Sequence, residues 1–434
     1  MIRLLIYALG LALVAVLAFA IGRFTSPPPT FSTGPQIGGT DDLDVAFEDF
    51  IRAQRETLEL FRSSDFFGDD QERAEAYRGL LYALVGSIKT GALMDPAHPR
   101  FMRAVDWTSK SGLDNPDNDY FITLLDDDSE YRITGNRGST ANLIFQVVIG
   151  EPGVRGAGTS TNVSMLDARD MQIDEEGNFE IFVGRGDPGP EKNWLPLTDG
   201  AKTLLVRATH SDWKDQRSGP LRIERIGFEG LHREELGTAE MARRLRDVAV
   251  SLFDRNATWL EYATRAFTLL PRNAISKTRP TRGGLVGQYS AFGSFELEDD
   301  EALILTSVPT EATYQGIELG NLWFVSLDYE TRTSSMTPAQ SYLGADGIYR
   351  YVISARDPGI ENWLDTEGHP RGLVFMRWQG LAEEPGEDQQ PTMRKVSFDR
   401  LADELPADTP AFNATKRRQQ IRERRQQVQE RFES

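Results

Sequence analysis

The stretch GNFEIFVGRGDPGPEKNWL, residues 177–195, is written again as GIYRYVISARDPGIENWL, residues 347–364, one residue shorter between DPG and NW. Setting Gly177 against Gly347 places Phe179 opposite Tyr349, Asp187-Pro188-Gly189 opposite Asp357-Pro358-Gly359, and Asn193-Trp194-Leu195 opposite Asn362-Trp363-Leu364. Downstream, LLVRA (204–208) faces VFMRW (374–378), which pairs Arg207 with Arg377. The glycine opens a hairpin and the aromatic begins a strand of alternating apolar residues. Asp-Pro-Gly ends that strand, because proline fixes φ and glycine accepts a positive one. A phrase of this kind repeated at such a distance predicts two copies of one β domain.

Working outward, short alternating segments broken by Gly, Asp and Asn (YFITLL, YRITG, LIFQVVIG) surround the first copy. That texture predicts an antiparallel sandwich or jelly roll. The expected fold is mainly β with helices (α+β): two jelly-roll-like β-sandwich domains from an internal duplication, helical segments between and around them, and one N-terminal transmembrane helix. The expected boundaries are a transmembrane anchor or signal peptide at 1–25, a linker at 26–42, and a helical region at 43–112 read as an antiparallel pair. The first β-sandwich domain follows at 113–230, then a helical connector at 231–284, read as two helices meeting near Asp254-Arg255-Asn256. The second β-sandwich domain spans 285–400, and a linker with a basic helix closes the chain at 401–434.

Residues 4–21 are 18 uncharged, overwhelmingly apolar residues flanked by Arg3 and Arg23, about the minimum for a bilayer-spanning helix. Ala18-Phe19-Ala20 resembles a signal-peptidase site, but the run exceeds the usual h-region of roughly 7–15 residues, which favours an uncleaved signal anchor. The expectation is therefore a single-pass protein of the cell membrane with its folded part outside the cytoplasm, in a bacterial periplasm. With no cysteine, disulfides, thiolate metal sites and cysteine nucleophiles are excluded. A net charge of -18 argues against nucleic acid as a partner, since that ligand requires a basic surface.

No cofactor and no metal is expected. The four histidines, His98, His210, His232 and His369, never stand at i, i+2 or i, i+4 spacing. The acidic runs 114–119 and 126–130 offer carboxylates to calcium but lack the EF-hand spacing, and Asp127 with its neighbours reads as hairpin-turn residues. Nucleophile elbows, P-loops and dinucleotide fingerprints are absent.

Three groups of residues qualify as ligand-binding candidates. Asn193 with Trp194, and Asn362 with Trp363, form either an amide-and-ring platform for an amphipathic molecule or a turn cap and a core plug. Arg207 and Arg377 stand in apolar strands where a charge needs a partner, a structural ion pair with the repeat's own Asp or an anion. NLWFVSLDY (321–329) carries Trp323, Asp328 and Tyr329 near a strand end, as a cleft or as a plain strand dividing Leu322, Phe324 and Val325 between two faces. The basic terminal helix reads as a solvated element docked through Ile421, Val428 and Phe432.

Taken together, residues 115–138, both copies of the repeat, NLWFVSLDY and the terminal KRRQQIRERRQQVQERF resemble the bacterial domain-of-unknown-function 1214 family over most of the chain from about residue 44. The resemblance implies a jelly-roll β fold and no settled activity or catalytic residues. The second copy departs from it by reading NWLD where the first reads NWLP. The function expected from the residues is binding of a small or saccharide-like ligand in a β-sandwich cleft. The competing readings are a cofactor-free hydrolase or lyase using carboxylates and Arg, and a structural envelope protein.

Overall fold

Asp42 caps the first described helix: its carboxylate accepts the N–H groups of Asp44 at 2.9 Å and Val45 at 3.2 Å. The computed structural model describes residues 42–156, 160–281, 285 and 287–433. The apolar run 4–21, its flanks and nearly all of the expected linker lie outside the described residues. Among those that are described, no helix is long and apolar enough to cross a membrane.

Helix α1 (Leu43–Arg62) buries Ala46, Ala53, Thr57, Leu60 and Phe61 on one face. Helix α2 (Asp70–Ile88) is capped by Asp69, buries small residues such as Ala76, Gly79 and Ala83, and ends in a π turn at Lys89–Leu93. Within that turn an added Cβ on Gly91 would lie 2.7 Å from the backbone nitrogen of Val248, so glycine is what lets this turn touch the later helix that contains Val248 (Thr238–Leu269). The helical region thus stops at Leu93; residues 94–112 form a loop that holds the first short strand.

The first β block comprises β1 (Met102–Arg103), β2 (Asn118–Leu124), β3 (Tyr131–Asn136), β4 (Asn142–Ile149), β5 (Asn162–Asp167), β6 (Asn178–Gly184), β7 (Asn193–Pro196), β8 (Ala201–Thr209) and β9 (Leu221–Arg225). It forms two sheets, ordered β1-β2-β8-β4-β5 and β7-β6-β3-β9, which enclose a core of Tyr131, Ile133, Phe145, Val147, Ile181, Val183, Leu204 and Val206.

Helix α3 (Thr238–Leu269) then crosses to the second block as one continuous element of 32 residues, in place of the two helices expected. Asp254, Arg255 and Asn256 do not break it, because each finds a partner without leaving helical geometry. Asp254 accepts Arg155 N–H at 3.0 Å, Arg255 pairs with Glu151 at 3.0 Å, and Asn256 donates to the Leu252 carbonyl at 2.7 Å.

The second block comprises β10 (Ala274–Ile275), β11 (Arg279–Pro280), β12 (Gln288–Glu296), β13 (Glu301–Ser307), β14 (Tyr314–Gly320), β15 (Ser335–Met336), β16 (Tyr349–Ser354), β17 (Trp363–Asp365), β18 (Arg371–Gln379) and β19 (Thr392–Ser397). Its sheets run β10-β12-β18-β14-β15, with β11 also on β12, and β17-β16-β13-β19, the same order as in the first block. Phe295, Leu303, Leu305, Ile353, Val374, Met376 and Trp378 fill the space between them. A single helical turn at Leu401–Glu404 precedes the last helix, α4 (Ala414–Glu433). The protein is therefore mixed α+β with mostly antiparallel sheets.

The repeated phrase accounts for the exception to antiparallel pairing. In each block its two strands pair in parallel, β6 with β7 and β16 with β17. Only residues 185–192 make the first return, fewer than the dozen or so that a parallel crossover usually takes. The Asp-Pro-Gly turn makes so short a return possible. Asp187 accepts the N–H of Gly189 at 2.8 Å and Asp357 that of Gly359 at 2.8 Å, and both glycines sit at positive φ, +101° and +74°.

Candidate functional site

The two Asn-Trp pairs close that short crossover. Asn193 donates to the carbonyls of Gln172 (2.9 Å) and Glu180 (2.8 Å) and accepts the Gln172 N–H (2.7 Å). Asn362 makes the matching exchange with Tyr342, at 2.7 Å in both directions. The indoles of Trp194 and Trp363 donate to the last carbonyls of the preceding strands, Gly184 and Ser354, each at 3.0 Å. These four side chains are committed to backbone groups, which cost roughly 1–3 kcal/mol each if left buried and unpaired. They form fold clamps and no shared platform.

Arg207 and Arg377 occupy matched places on β8 and β18 but meet different partners. Arg207 donates to the Gln146 amide oxygen; Arg377 forms an ion pair with buried Glu318 and donates to the Leu113 carbonyl at 2.6 Å. Burial lowers the Arg207 pKa, with Arg377 adding repulsion. At Arg377 the same burial is outweighed by the Glu318 carboxylate, and the pKa rises. Neither arginine pairs with the Asp of the repeat. Asp357 is held instead by Arg417 of α4, at 3.0 Å.

Helix α4 docks through Val428 and Phe432, as expected, and also through three arginines. Arg417, Arg424, Val428 and Arg431 are its buried residues, spaced close to a heptad, whereas Ile421 is only half-buried. Arg424 donates to the Tyr329 carbonyl (3.2 Å) and Ser335 (3.0 Å); Arg431 donates to the Pro116 carbonyl (2.7 Å) and pairs with Asp119 (3.3 Å). Both guanidinium groups lie over the ring of Trp213, at 4.6 and 5.0 Å.

The acidic run 114–119 is the receiving end of this network. Asp117 accepts from Trp213 (2.8 Å) and Tyr314 (2.6 Å), and Asp119 contacts His210 (3.2 Å), Ser218 (2.6 Å) and Arg103 (3.2 Å). Burial alone would raise the Asp119 carboxyl. The hydrogen bond from His210 and the Arg431 charge outweigh it and hold the group well below the usual carboxylate range. Ser218, His210 and Asp119 have the composition of a catalytic triad without its geometry, because serine and carboxylate both face the same ring nitrogen, Nε2.

The other acidic run, Asp126 to Asp128, brings three carboxylates together, but Arg185 reaches Asp127 (3.5 Å) and Asp128 (3.1 Å) and supplies the countercharge.

NLWFVSLDY is not a strand. Asn321 accepts the N–H groups of Trp323 (3.1 Å) and Val325 (3.2 Å), and Phe324 takes φ 62°, which bends the segment into a buried loop. Leu322, Phe324 and Val325 are accordingly all buried. Trp323 is 5% exposed, packs on Phe61 and Phe66, and donates to the Glu72 carbonyl at 2.9 Å, so it plugs the helical layer onto the second block.

Asp328 and Tyr329 do reach a cavity. It measures about 190 Å³ and lies between α2, the 94–112 loop, the 326–330 segment and α4. Tyr82, Trp107, Tyr329, Val428 and Phe432 form its apolar wall; Arg78, Lys110, Ser326, Asp328 and Glu330 supply the polar groups. Trp107 is 45% exposed and meets Phe432 at 4.8 Å, forming the rim. Inside, Lys110 Nζ lies 4.1 Å from the centre of the Tyr329 ring and donates to Ser326 Oγ at 3.1 Å; Ser326 donates to Asp114 at 2.8 Å. Burial raises the phenols of Tyr82 and, more strongly, of Tyr329, so both are neutral hydroxyls near pH 7.

Of the candidates read from the sequence, Asp328 and Tyr329 therefore line one cavity, and Trp323, the Asn-Trp pairs and the arginines lie elsewhere. Ser326 belonged to the quoted segment and Val428 and Phe432 were legible as docking residues. Arg78, Tyr82, Trp107 and Lys110 carried no local signal.

No family model and no curated protein matches the chain. Among solved structures it is similar to an uncharacterised protein from Burkholderia cenocepacia, with 27% identity, a TM-score of 0.75, and 82% of this chain and 97% of that one covered. A Vibrio parahaemolyticus protein is more distant, at 12% identity and a TM-score of 0.42 over 74% of this chain and 98% of the other.

Proposed function

We propose that the protein binds a small or saccharide-like ligand in the cavity formed by Tyr82, Trp107, Lys110, Ser326, Asp328, Tyr329 and Phe432. In this reading it is a bacterial, membrane-anchored, envelope-facing protein of the domain-of-unknown-function 1214 type, its two sandwiches being jelly-roll-like copies of one duplicated unit. The matched strand orders and matched Asn clamps support the duplication. The apolar run 4–21 supports the anchor.

The observation that carries the binding function is the cavity itself, in which aromatic walls surround a few convergent polar groups, the composition expected of a small-molecule site. A thermal-shift panel of saccharides, carboxylic acids, lipids and divalent metals on the full chain tests it. The expected result is a stabilising hit that Trp107→Ala removes. Stabilisation by nothing in the panel, or a hit that Trp107→Ala leaves intact, refutes the site and moves weight to a structural role.

The hydrolase alternative has one observation in its favour: Ser326 Oγ is bridged by Lys110 and Asp114 at the cavity wall. Turnover of a nitrophenyl ester that disappears in Ser326→Ala would establish it. Absence of turnover would leave Ser326 as a cross-link between the 94–112 loop region and the 326–330 segment.

A further inference from the structure

We propose that the ligand of this cavity is an acidic sugar, a monosaccharide-sized polyol carrying one carboxylate, and that Lys110 is the residue that reads the carboxylate. The inference rests on the binding reading above and names the ligand class of the same site.

The argument begins with the charges on the wall and their own partners. Arg78 is held by Glu75 at 2.6 Å and reaches Glu367 at 4.0 Å, while Glu330 is paired with Arg425 at 3.4 Å. Lys110 differs: among the described residues no carboxylate lies within ion-pair distance of it, and it acts on Asp328 across the same cavity, whose carboxyl it helps to hold down. An ammonium has three donors. Ser326 takes one of them, and the Tyr329 ring stabilises the charge from one side without satisfying the others. A half-buried ammonium with donors to spare is complemented by an anionic group placed on its side of the cavity, away from Asp328.

Asp328 supplies the complementary specificity. One of its oxygens accepts the N–H groups of Glu330 and Thr331, both at 2.9 Å, and the other accepts the Thr331 hydroxyl. A carboxylate offers about four acceptor sites, so one remains for a ligand hydroxyl. Burial works against this charge, but the Thr331 hydroxyl and the two N–H groups hold the carboxyl below its usual range. At neutral pH Asp328 therefore accepts and does not donate.

Trp107, with its exposed ring against Phe432, offers an apolar face for the C–H side of a sugar ring. A cavity of about 190 Å³ that opens to the surface beside Trp107 has room for a single sugar ring.

Calorimetric titration of the full chain with D-glucuronate, D-glucose and acetate tests the assignment. The charge-assisted contact to Lys110 predicts glucuronate binding at least about tenfold tighter than glucose, with acetate weaker than glucuronate. Lys110→Gln and Lys110→Met, each checked for an unchanged Tm, should bring the two sugars to within about threefold of each other by removing that contact. Glucose binding as tightly as glucuronate, or a preference that survives both Lys110 variants, overturns the acidic-sugar assignment and leaves the binding reading standing. Acetate binding as tightly as glucuronate overturns the polyol part. If none of the three probes binds, the acidic-sugar assignment falls, and the wider thermal-shift panel decides the binding reading separately.

Discussion

Replacing Arg431 by Met keeps most of the side chain's length and apolar stem and removes only the guanidinium. In the native protein that group is fully buried, donates to the Pro116 carbonyl at 2.7 Å, pairs with Asp119 at 3.3 Å and lies over Trp213. Asp119 is equally buried and would keep Arg103 and His210, so its charge would be partly compensated. Removing one partner of a buried pair costs about 3–5 kcal/mol, and the remaining partners place Arg431→Met near 3. At roughly 2.1 cal/mol/K per residue, cooperative unfolding of the described part, residues 42–433, carries an entropy of about 0.8 kcal/mol/K, so a 3 kcal/mol loss lowers Tm by about 4 °C.

Differential scanning calorimetry measures this directly, with Arg422→Met, on the exposed face of α4, as the control that should move Tm by less than about 1 °C. Adding Asp119→Asn to Arg431→Met should cost less than the sum of the single changes, because the buried charge left behind is then gone. An Arg431→Met protein as stable as wild type, or strict additivity in the double variant, would refute the argument that buried arginines anchor this helix.

The acid limb of stability should report on the same carboxylate. Asp119 has a folded pKa below its unfolded value of about 3.9, so its contribution is complete above that pH and is lost as pH falls towards the folded value. Urea midpoints of Asp119→Asn between pH 5 and about 3 should accordingly fall less steeply than wild type; parallel curves would contradict the assignment. Asn193→Ala and Asn362→Ala each leave buried backbone groups unpaired and should destabilise by about 2–3 kcal/mol in urea titrations, without changing sugar affinity. A loss of affinity with intact stability would return these residues to the binding site. Trp323→Ala opens a cavity among Phe61, Phe66 and Phe67 and should cost about 3–5 kcal/mol. A near-neutral effect would show that the helical layer is not pinned there.

Much of the fold was legible from local chemistry. The repeat GxF/Y…DPG…NWL marked the same strand-turn-strand unit twice, because proline, positive-φ glycine and alternating apolar residues act within a few positions of one another. The helical region from residue 43 was likewise legible, because apolar residues recur there at helical spacing. Short range also set the limit. Nothing in DRN at 254–256 said that Arg155, Glu151 and Leu252 would satisfy those side chains and let the helix run on. The parallel pairing of β6 with β7 was hidden for the same reason, since a strand's direction depends on where the chain returns.

The sequence by itself determined that the chain holds two β blocks built on one repeated phrase, with helices before, between and after them, and that cysteine chemistry is excluded. Only the tertiary structure decided what the charged residues do. A basic helix reads as solvated until Asp119, Asp357 and the Trp213 ring are seen to receive its arginines, and Lys110 has no meaning until Tyr329, Ser326 and Asp328 surround it. The physical reason is that strands and turns are set by forces between neighbours in sequence. The energy of a buried charge, by contrast, depends on groups that only folding brings within a few ångströms of it.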